Sequence, residues 1–185
     1  MAPKAPPGQA RDAPRVRRVA PRLVLDLGTY CGYAALRIAR AMPADCSIVS
    51  LESNTSNAAI AQAIWQHAGI ADRATVVVGS LGDGWTAEVA LGFRHGEVDL
   101  VYVAHDRGSY VAHVQHIVDR AWLRDGSIVI TDHARFPGAR AYLAWMKWQE
   151  GRTFYTVERP ALLEYQSLVK DLVLESEYVG AGRAA

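Results

Sequence analysis

A turn with two glycines, set between an apolar run and a helical pattern, has the residue types that hold a nucleotide-like ligand. Residues 23–27 are apolar except for Asp26, and Gly28 and Gly32 follow in the turn. In an open α/β sheet, the crevice beyond the carboxyl end of such a strand is where ligands bind. The spacing is Gly-x-x-x-Gly, which differs from the Gly-x-Gly-x-x-Gly dinucleotide fingerprint. A cofactor without a diphosphate therefore fits the turn better.

An acidic residue ends the next apolar run. A carboxylate at Glu52 can accept hydrogen bonds from both hydroxyls of a ribose, as in dinucleotide folds. Its other interpretation is a role at a helix cap, because Ser53 and Asn54 follow directly. A later turn that begins Gly79-Ser80 would form the wall around a base, although it can equally be only a tight turn. We prefer the ribose role because Glu52 coincides with the glycine turn.

Strand and helix patterns alternate along the chain and would position these residues. The alternation predicts a parallel sheet built from right-handed βαβ units. The predicted strands are 23–27, 47–52, 74–78, 98–103 and 127–131, followed by two late antiparallel strands at 153–158 and 166–174. The predicted helices are 34–41, 57–68, 85–91, 111–121 and 139–149, and a turn is predicted at 124–126.

Composition and charge describe one domain without an affinity for polyanions. The chain has 185 residues, 50% of them hydrophobic, and a net charge of +1, which gives no general attraction to nucleic acid or membranes. Residues 1–21 are rich in Pro and Arg and predict a flexible arm, and 22–185 predict a single domain. Cys31 and Cys46 lack metal-ligand spacing. With no signal-peptide pattern, we expect a cytoplasmic protein.

Short motifs over residues 23–180 match one known family in kind and order. They are LDLGTYCGY at 25–33, LESN at 51–54, AGI at 68–70, VVGS at 77–80, Asp132, FPGA at 136–139 and LEY at 163–165. With these motifs the chain resembles the S-adenosylmethionine-dependent catechol O-methyltransferase family. The resemblance implies an α/β, Rossmann-like, doubly wound sheet of seven mostly parallel strands with an antiparallel last strand. It also implies S-adenosylmethionine as cofactor.

The resemblance assigns roles to residues around the cofactor. It implies that Glu52 binds the ribose, that Ser80 and His105 flank the adenine, and that Tyr30 lies near the methionine part. The family usually has a serine where this chain has Ala34, so one hydroxyl contact is expected to be missing. An aromatic ring such as that of Tyr30 can stabilise a sulfonium cation. The implied cofactor residues are Asp26, Gly28, Tyr30, Gly32, Tyr33, Glu52, Ser53, Gly79, Ser80 and His105.

The reacting end departs from the family pattern. The family binds its acceptor through Mg²⁺ and deprotonates it with a lysine, but Ala104 stands at the first metal carboxylate and Arg107 at the lysine. Asp132 matches the second metal carboxylate, His133 replaces an amide ligand, and Glu164 matches the carboxylate that holds the substrate hydroxyl. Arginine is a poor base, and imidazole favours transition metals over Mg²⁺. We therefore expect no typical Mg²⁺ site.

Two interpretations of these departures stay open. In the first, the chain is an O-methyltransferase for a small hydroxylated, phenolic acceptor, with His133 as base, oriented by Asp132 or Glu164. Arg107 would bind an anionic group of the acceptor, unless it is only a solvated loop residue. In the second, the chain is a non-methylating descendant that serves as a structural or regulatory subunit or uses the fold for other chemistry. Asp106, Asp132 and His133 remain candidates for a residual metal site.

The amino end also departs from the family. Its members have two or three helices before the first strand, where this chain has only the arm. We expect either an open acceptor site or a face covered by a partner chain, such as a second copy in a homo-oligomer.

Overall fold

The computed structural model of the chain describes residues 20–84, 90–163 and 166–180. Almost all of the predicted arm lies outside the described residues. The same holds for residues 85–89 of one predicted helix and for Glu164, the expected substrate carboxylate.

Seven strands form one sheet in the order β3-β2-β1-β4-β5-β7-β6. The strands are β1 Leu23–Leu27, β2 Ser47–Glu52, β3 Ala74–Val78, β4 Val98–Val103, β5 Leu123–Thr131, β6 Phe154–Leu163 and β7 Gln166–Tyr178. The four pairings among β1 to β5 are parallel, and β7 is antiparallel to both β5 and β6. This confirms the Rossmann-like sheet with an antiparallel last strand.

Helices cover both faces of the sheet. They are α1 Tyr33–Ala41, α2 Thr55–Ala68, α3 Tyr110–Asp119 and α4 Arg140–Gln149. Side chains alternate between the two faces of a strand, so β1 places Val24 in the core under α1 and α2, and Leu25 in the core under α3 and α4. Every residue of β4 is buried. A strand covered on both faces is typical of a doubly wound fold.

Helix α2 begins two residues earlier than predicted because of its cap. The Asn54 side chain accepts hydrogen bonds from the backbone N–H groups of Ser56 and Asn57 at 2.9 and 3.1 Å. At the other end, Gly69 takes the left-handed conformation with φ 69°. Asn54 is therefore the cap, and Glu52 is left for another role.

The predicted turn at 124–126 is wrong, since these residues belong to β5. The register of β5 against β4 shifts between Val98 and Leu100, and Gly126 has φ 85°. The Ser127 hydroxyl donates to the Val98 carbonyl at 2.8 Å and accepts from the Arg124 N–H at 3.0 Å. A bulge of this kind keeps the chain in the strand despite a turn-like composition.

Candidate active site

The glycine turn after β1 needs its two glycines because other groups approach the backbone closely. A Cβ on Gly28 would lie 2.9 Å from atoms of His105. A Cβ on Gly32 would lie 2.5 Å from Nε1 of Trp65, which donates a hydrogen bond to the Gly32 carbonyl at 2.9 Å. Trp65 lies on α2 and is fully buried. The indole of Trp65 therefore connects the turn to α2 through this hydrogen bond.

A cavity of about 380 Å³ opens at the carboxyl ends of β1, β2 and β4. Its volume lies within the range of small-molecule sites. It is lined by Leu27, Gly28, Tyr30, Leu51, Glu52, Ser53, Asn57, Gly79, Ser80, Leu81, Ala104, His105, Asp106, Ser109 and His113. The cavity brings together seven of the ten expected cofactor residues. Asp26, Gly32 and Tyr33 do not line it.

Glu52 lies in the cavity wall with its carboxylate fixed by two backbone donors. The Tyr30 N–H donates to Oε2 at 2.7 Å, and the Asn54 N–H donates to Oε1 at 2.8 Å. Tyr30 has a φ of 48°, uncommon for a residue with a side chain. Each carboxylate oxygen can accept a second hydrogen bond. The side chain is 9% exposed, so it is held in place yet reachable from the cavity.

Asp26 lies behind the turn and is fully buried. Its Oδ2 accepts the Ser50 hydroxyl at 2.5 Å, and the Ser50 hydroxyl lies 2.5 Å from that of Thr29. Burial, with a smaller contribution from the nearby charge of Glu52, raises the pKa of Asp26 to about 6. Oδ1 has no hydrogen-bond partner among the described residues. A buried oxygen in that state favours a donor group close by.

Two histidines share a hydrogen bond at the opposite wall of the cavity. Nε2 of His105 lies 2.7 Å from Nδ1 of His113, so one ring donates and the other accepts. Burial, with a smaller contribution from the adjacent His113, lowers the pKa of His105 to about 4. Burial also lowers the pKa of His113. The pair is neutral at physiological pH. His113 lies on α3, eight residues from its partner, and the sequence motifs give no sign of this contact.

A second cluster lies at the end of β5. The Asp132 carboxylate accepts the Tyr102 hydroxyl at 2.9 Å and the His133 N–H at 2.8 Å. Nδ1 of His133 lies 2.8 Å from Oδ2 of Asp171, and its Nε2 lies 3.8 Å from Oδ2 of Asp132. The Asp132 N–H donates to the carbonyl of Val103. This places the cluster one residue from Ala104, which lines the cavity.

The donor set of the described residues at this cluster is a poor match for Mg²⁺. Mg²⁺ prefers an octahedron of oxygen ligands, and the methyl group of Ala104 offers none. The carboxylate oxygens of Asp171 already accept from His133 and from the backbone N–H groups of Arg135 and Leu172. Asp132, His133 and Asp171 bring one potential ligand atom each within 4.8 Å of one another, so the group offers two carboxylates and an imidazole, a set that suits a transition metal better than Mg²⁺.

Arg107 and Asp106 begin the short turn after β4. Nε of Arg107 is buried and has no hydrogen-bond partner among the described residues. The Asp106 carboxylate accepts the Ser109 hydroxyl at 2.9 Å and lies outside the cluster at the end of β5.

Asp171 was not identified as a site residue from the sequence, but one signal was available. It is an acid within the largely apolar run of a strand, and buried acids are rare unless paired.

Comparisons with known proteins show the family of the chain. The O-methyltransferase family model matches residues 16–143. The probable O-methyltransferase Rv1703c of Mycobacterium tuberculosis is 51% identical over 168 residues, which are 89% of this chain and 72% of that protein. The catechol O-methyltransferase of Sus scrofa is 33% identical over 170 residues, covering 92% of this chain and 89% of that enzyme.

Solved structures share the fold. The O-methyltransferase TomG of Streptomyces achromogenes, in complex with S-adenosylmethionine, aligns with a TM-score of 0.79 and 21% identity, over 97% of this chain and 82% of that one. No helix in the described ranges has the length and apolarity to cross a bilayer. The family model matches residues 16–143, and two relatives are 51% and 33% identical to the chain. The chain therefore belongs to the O-methyltransferase family.

Proposed function

We propose that the chain transfers a methyl group from S-adenosylmethionine to a hydroxyl of a small phenolic acceptor without Mg²⁺. Membership in the family gives the reaction class, methyl transfer to oxygen. The observation that carries the cofactor assignment is Glu52, fixed by two backbone amides in the wall of a cavity of about 380 Å³. TomG, with the same fold, binds S-adenosylmethionine, which supports this cofactor.

The cavity has the polar groups that an adenosyl cofactor needs. Glu52 would accept the ribose hydroxyls, and Ser80 and the neutral His105 would lie against the base. Asp26 does not line the cavity, and its role in cofactor binding would run through the turn, which its carboxylate supports by way of Ser50 and Thr29. Tyr30, at the cavity wall, offers a ring to a sulfonium.

The cofactor supplies an electrophilic methyl group on a sulfonium and leaves as a neutral thioether. The chain's residues must then hold the acceptor and take its proton. His133 is the base in this scheme: Nε2 takes the proton of the acceptor hydroxyl and later releases it to solvent, since the side chain is 26% exposed. Imidazole suits this task near neutral pH.

Arg107 supports an acceptor that carries an acidic group. A guanidinium can bind a carboxylate through two parallel hydrogen bonds. Its Nε is buried without a partner in the part of the chain that the structure describes, which costs free energy unless a ligand pairs with it. The phenolic nature of the acceptor is supported by the likeness to the catechol O-methyltransferase of Sus scrofa.

The two cysteines support a cytoplasmic location. Cys31 and Cys46 are free thiols, which supports a reducing, cytoplasmic compartment.

Two exposed tyrosines support a homo-oligomer. Tyr30 and Tyr33 are 68% and 44% exposed beside the cavity, which supports a second copy of the chain over this face. Light scattering of the purified protein measures whether it is dimeric.

Methyl transfer itself tests the proposed function. The protein, radiolabelled S-adenosylmethionine and a panel of phenols with and without a carboxylate are incubated in the presence of EDTA. We expect label in a phenolic product, with faster transfer to the carboxylated acceptors. Tight cofactor binding with no transfer to any acceptor would contradict the proposal and favour a non-methylating subunit.

A further inference from the structure

We propose that Asp171, a residue with no role in the family pattern described above, positions His133 as the catalytic base. The inference rests on the proposed function, in which His133 accepts the proton of the acceptor hydroxyl. Asp171 lies on β7, the strand between β5 and β6, and is 2% exposed. It reaches His133 across 38 positions of the chain, which only the folded sheet brings together.

The carboxylate of Asp171 is itself rigidly held. Its Oδ1 accepts the N–H of Leu172 at 2.7 Å and the N–H of Arg135 at 3.2 Å. Its Oδ2 lies 2.8 Å from Nδ1 of His133. One side chain therefore connects β7 to both His133 and the turn that follows it. A partner fixed by its own hydrogen bonds is able to fix the orientation of an imidazole ring.

The contact also selects the tautomer of His133. An ionised carboxylate only accepts hydrogen bonds, so Nδ1 of His133 must carry the proton. Nε2 of the neutral ring is then a lone-pair acceptor, which is the form that a general base requires. With the proton on the other nitrogen, the ring would present an N–H to the acceptor hydroxyl and could not take its proton.

The groups around Nε2 also stabilise the protonated ring of His133 that forms in the reaction. When the acceptor O–H bond breaks, its proton forms the Nε2–H bond and the electron pair stays on the acceptor oxygen. The resulting imidazolium lies between Asp171 at Nδ1 and Asp132, whose Oδ2 is 3.8 Å from Nε2. The Tyr102 hydroxyl holds Asp132 in this place. Two carboxylates therefore stabilise the charge that forms.

Asp132 is a poorer candidate for the positioning role. Its Oδ1 accepts the backbone N–H of His133, and its Oδ2 lies beyond hydrogen-bond distance of the ring. Asp132 therefore bonds the backbone of His133, and Asp171 bonds the ring. His133 has left-handed backbone angles, with φ 53° and ψ 37°. Holding a non-glycine residue in this conformation costs about 1 kcal/mol or more, so the surrounding bonds must compensate.

The test compares Asp171→Asn, His133→Gln and the double variant. Asp72→Asn, which removes an exposed carboxylate in the loop after α2, is the matched control. We expect Asp171→Asn to lower kcat by about tenfold or more, because loss of the hydrogen-bond partner of a functional histidine has an effect of this size. The Kd for S-adenosylmethionine should change little. If Asp171 acts through His133, the double variant will be no slower than His133→Gln.

Nuclear magnetic resonance of the imidazole nitrogens gives a readout that needs no activity. The His133 signals are assigned by their loss in His133→Gln. We expect the Nδ1–H tautomer in the natural chain and a mixture of tautomers in Asp171→Asn, with an unchanged fold by circular dichroism. The Nε2–H tautomer in the natural chain would overturn the inference.

Kinetic outcomes separate this inference from the proposed function. Methyl transfer by the natural chain with an unchanged kcat in Asp171→Asn overturns the role of Asp171 and leaves the function standing. If the fold-reduction of kcat in the double variant equals the product of the two single reductions, the residues act independently, and the role of Asp171 is overturned as well. Absence of transfer by the natural chain overturns the function itself.

Discussion

The backbone nitrogen of Tyr30 lies 2.7 Å from Oε2 of Glu52, so the glycine turn and the end of β2 are joined at the cavity wall. This contact ties the conformation of the turn to the position of the carboxylate. A second amide, that of Asn54, holds the other oxygen at 2.8 Å. The carboxylate is thus preorganised before any ligand arrives, and binding does not have to order it.

Replacing Glu52 by Gln should weaken the binding of S-adenosylmethionine. Glutamine keeps the shape but loses the charge, and a hydrogen bond to a charged group contributes about 1.5–3 kcal/mol. We expect the Kd to rise by about tenfold or more in titration calorimetry. Glu177→Gln, at an exposed position of β7, is the control and should bind normally. Equal affinities of the two variants would remove Glu52 from the cofactor site.

Gly32→Ala should destabilise the fold far more than Gly69→Ala. Both glycines have positive φ, so alanine costs about 1–2 kcal/mol at either position. Only at Gly32 would the new Cβ meet Trp65, at 2.5 Å, whereas nothing lies within 4 Å at Gly69. The lost indole hydrogen bond adds about 1 kcal/mol. Urea unfolding of both variants measures the difference, and equal losses would contradict the role of Trp65 in fastening the turn.

Asp26→Asn should change how stability depends on pH. The pKa of Asp26 is about 6 in the fold, against 3.8 in the unfolded chain, so between these values the native state holds more protons. The contribution of Asp26 to the free energy of unfolding is therefore largest below about pH 4 and falls as pH rises to about 6. Relative to the Asn variant, the natural chain should lose about 2–3 kcal/mol across this window.

Unfolding titrations across that window check the sign. The Asn variant carries no proton at this site in either state and is the internal reference. Parallel curves for the two proteins would mean that Asp26 is not desolvated in the fold.

Removal of metal should leave methyl transfer unchanged. Ala104 offers no ligand, and the imidazole of His133 replaces one oxygen ligand in the group it forms with Asp132 and Asp171. We expect equal rates with EDTA and with added Mg²⁺, whereas His133→Gln should reduce the rate by about 10²–10⁴-fold. A rate that EDTA abolishes and Mg²⁺ restores would show that the acceptor site uses the ion after all.

The sheet could be predicted from the sequence because its signals are local. Apolar runs of strand length alternate with helical patterns, and β1 to β4 begin and end where predicted. The β5 boundary was not predictable, because the composition of 124–126 is that of a turn. Bonds made in the folded chain, from Ser127 to Val98 and from Arg124 to Ser127, hold these residues in the strand.

Part of the site was predictable for the same reason. Glu52 ends β2, Ser80 and His105 follow the ends of β3 and β4, and parallel strand ends meet at one edge of a sheet. Asp171 and His113 could not be predicted in this way, because each belongs to the site only through a contact made in the folded chain. Asp171 meets His133 after β7 inserts beside β5, and His113 meets His105 across the turn between β4 and α3. No pattern in the sequence specifies either distance.

A crystal structure with S-adenosylhomocysteine tests the central claim most directly. We expect the nucleoside in the cavity at the ends of β1, β2 and β4, with both sugar hydroxyls within hydrogen-bond distance of the Glu52 carboxylate. Density for the ligand elsewhere, or a sugar with no contact to Glu52, would contradict it.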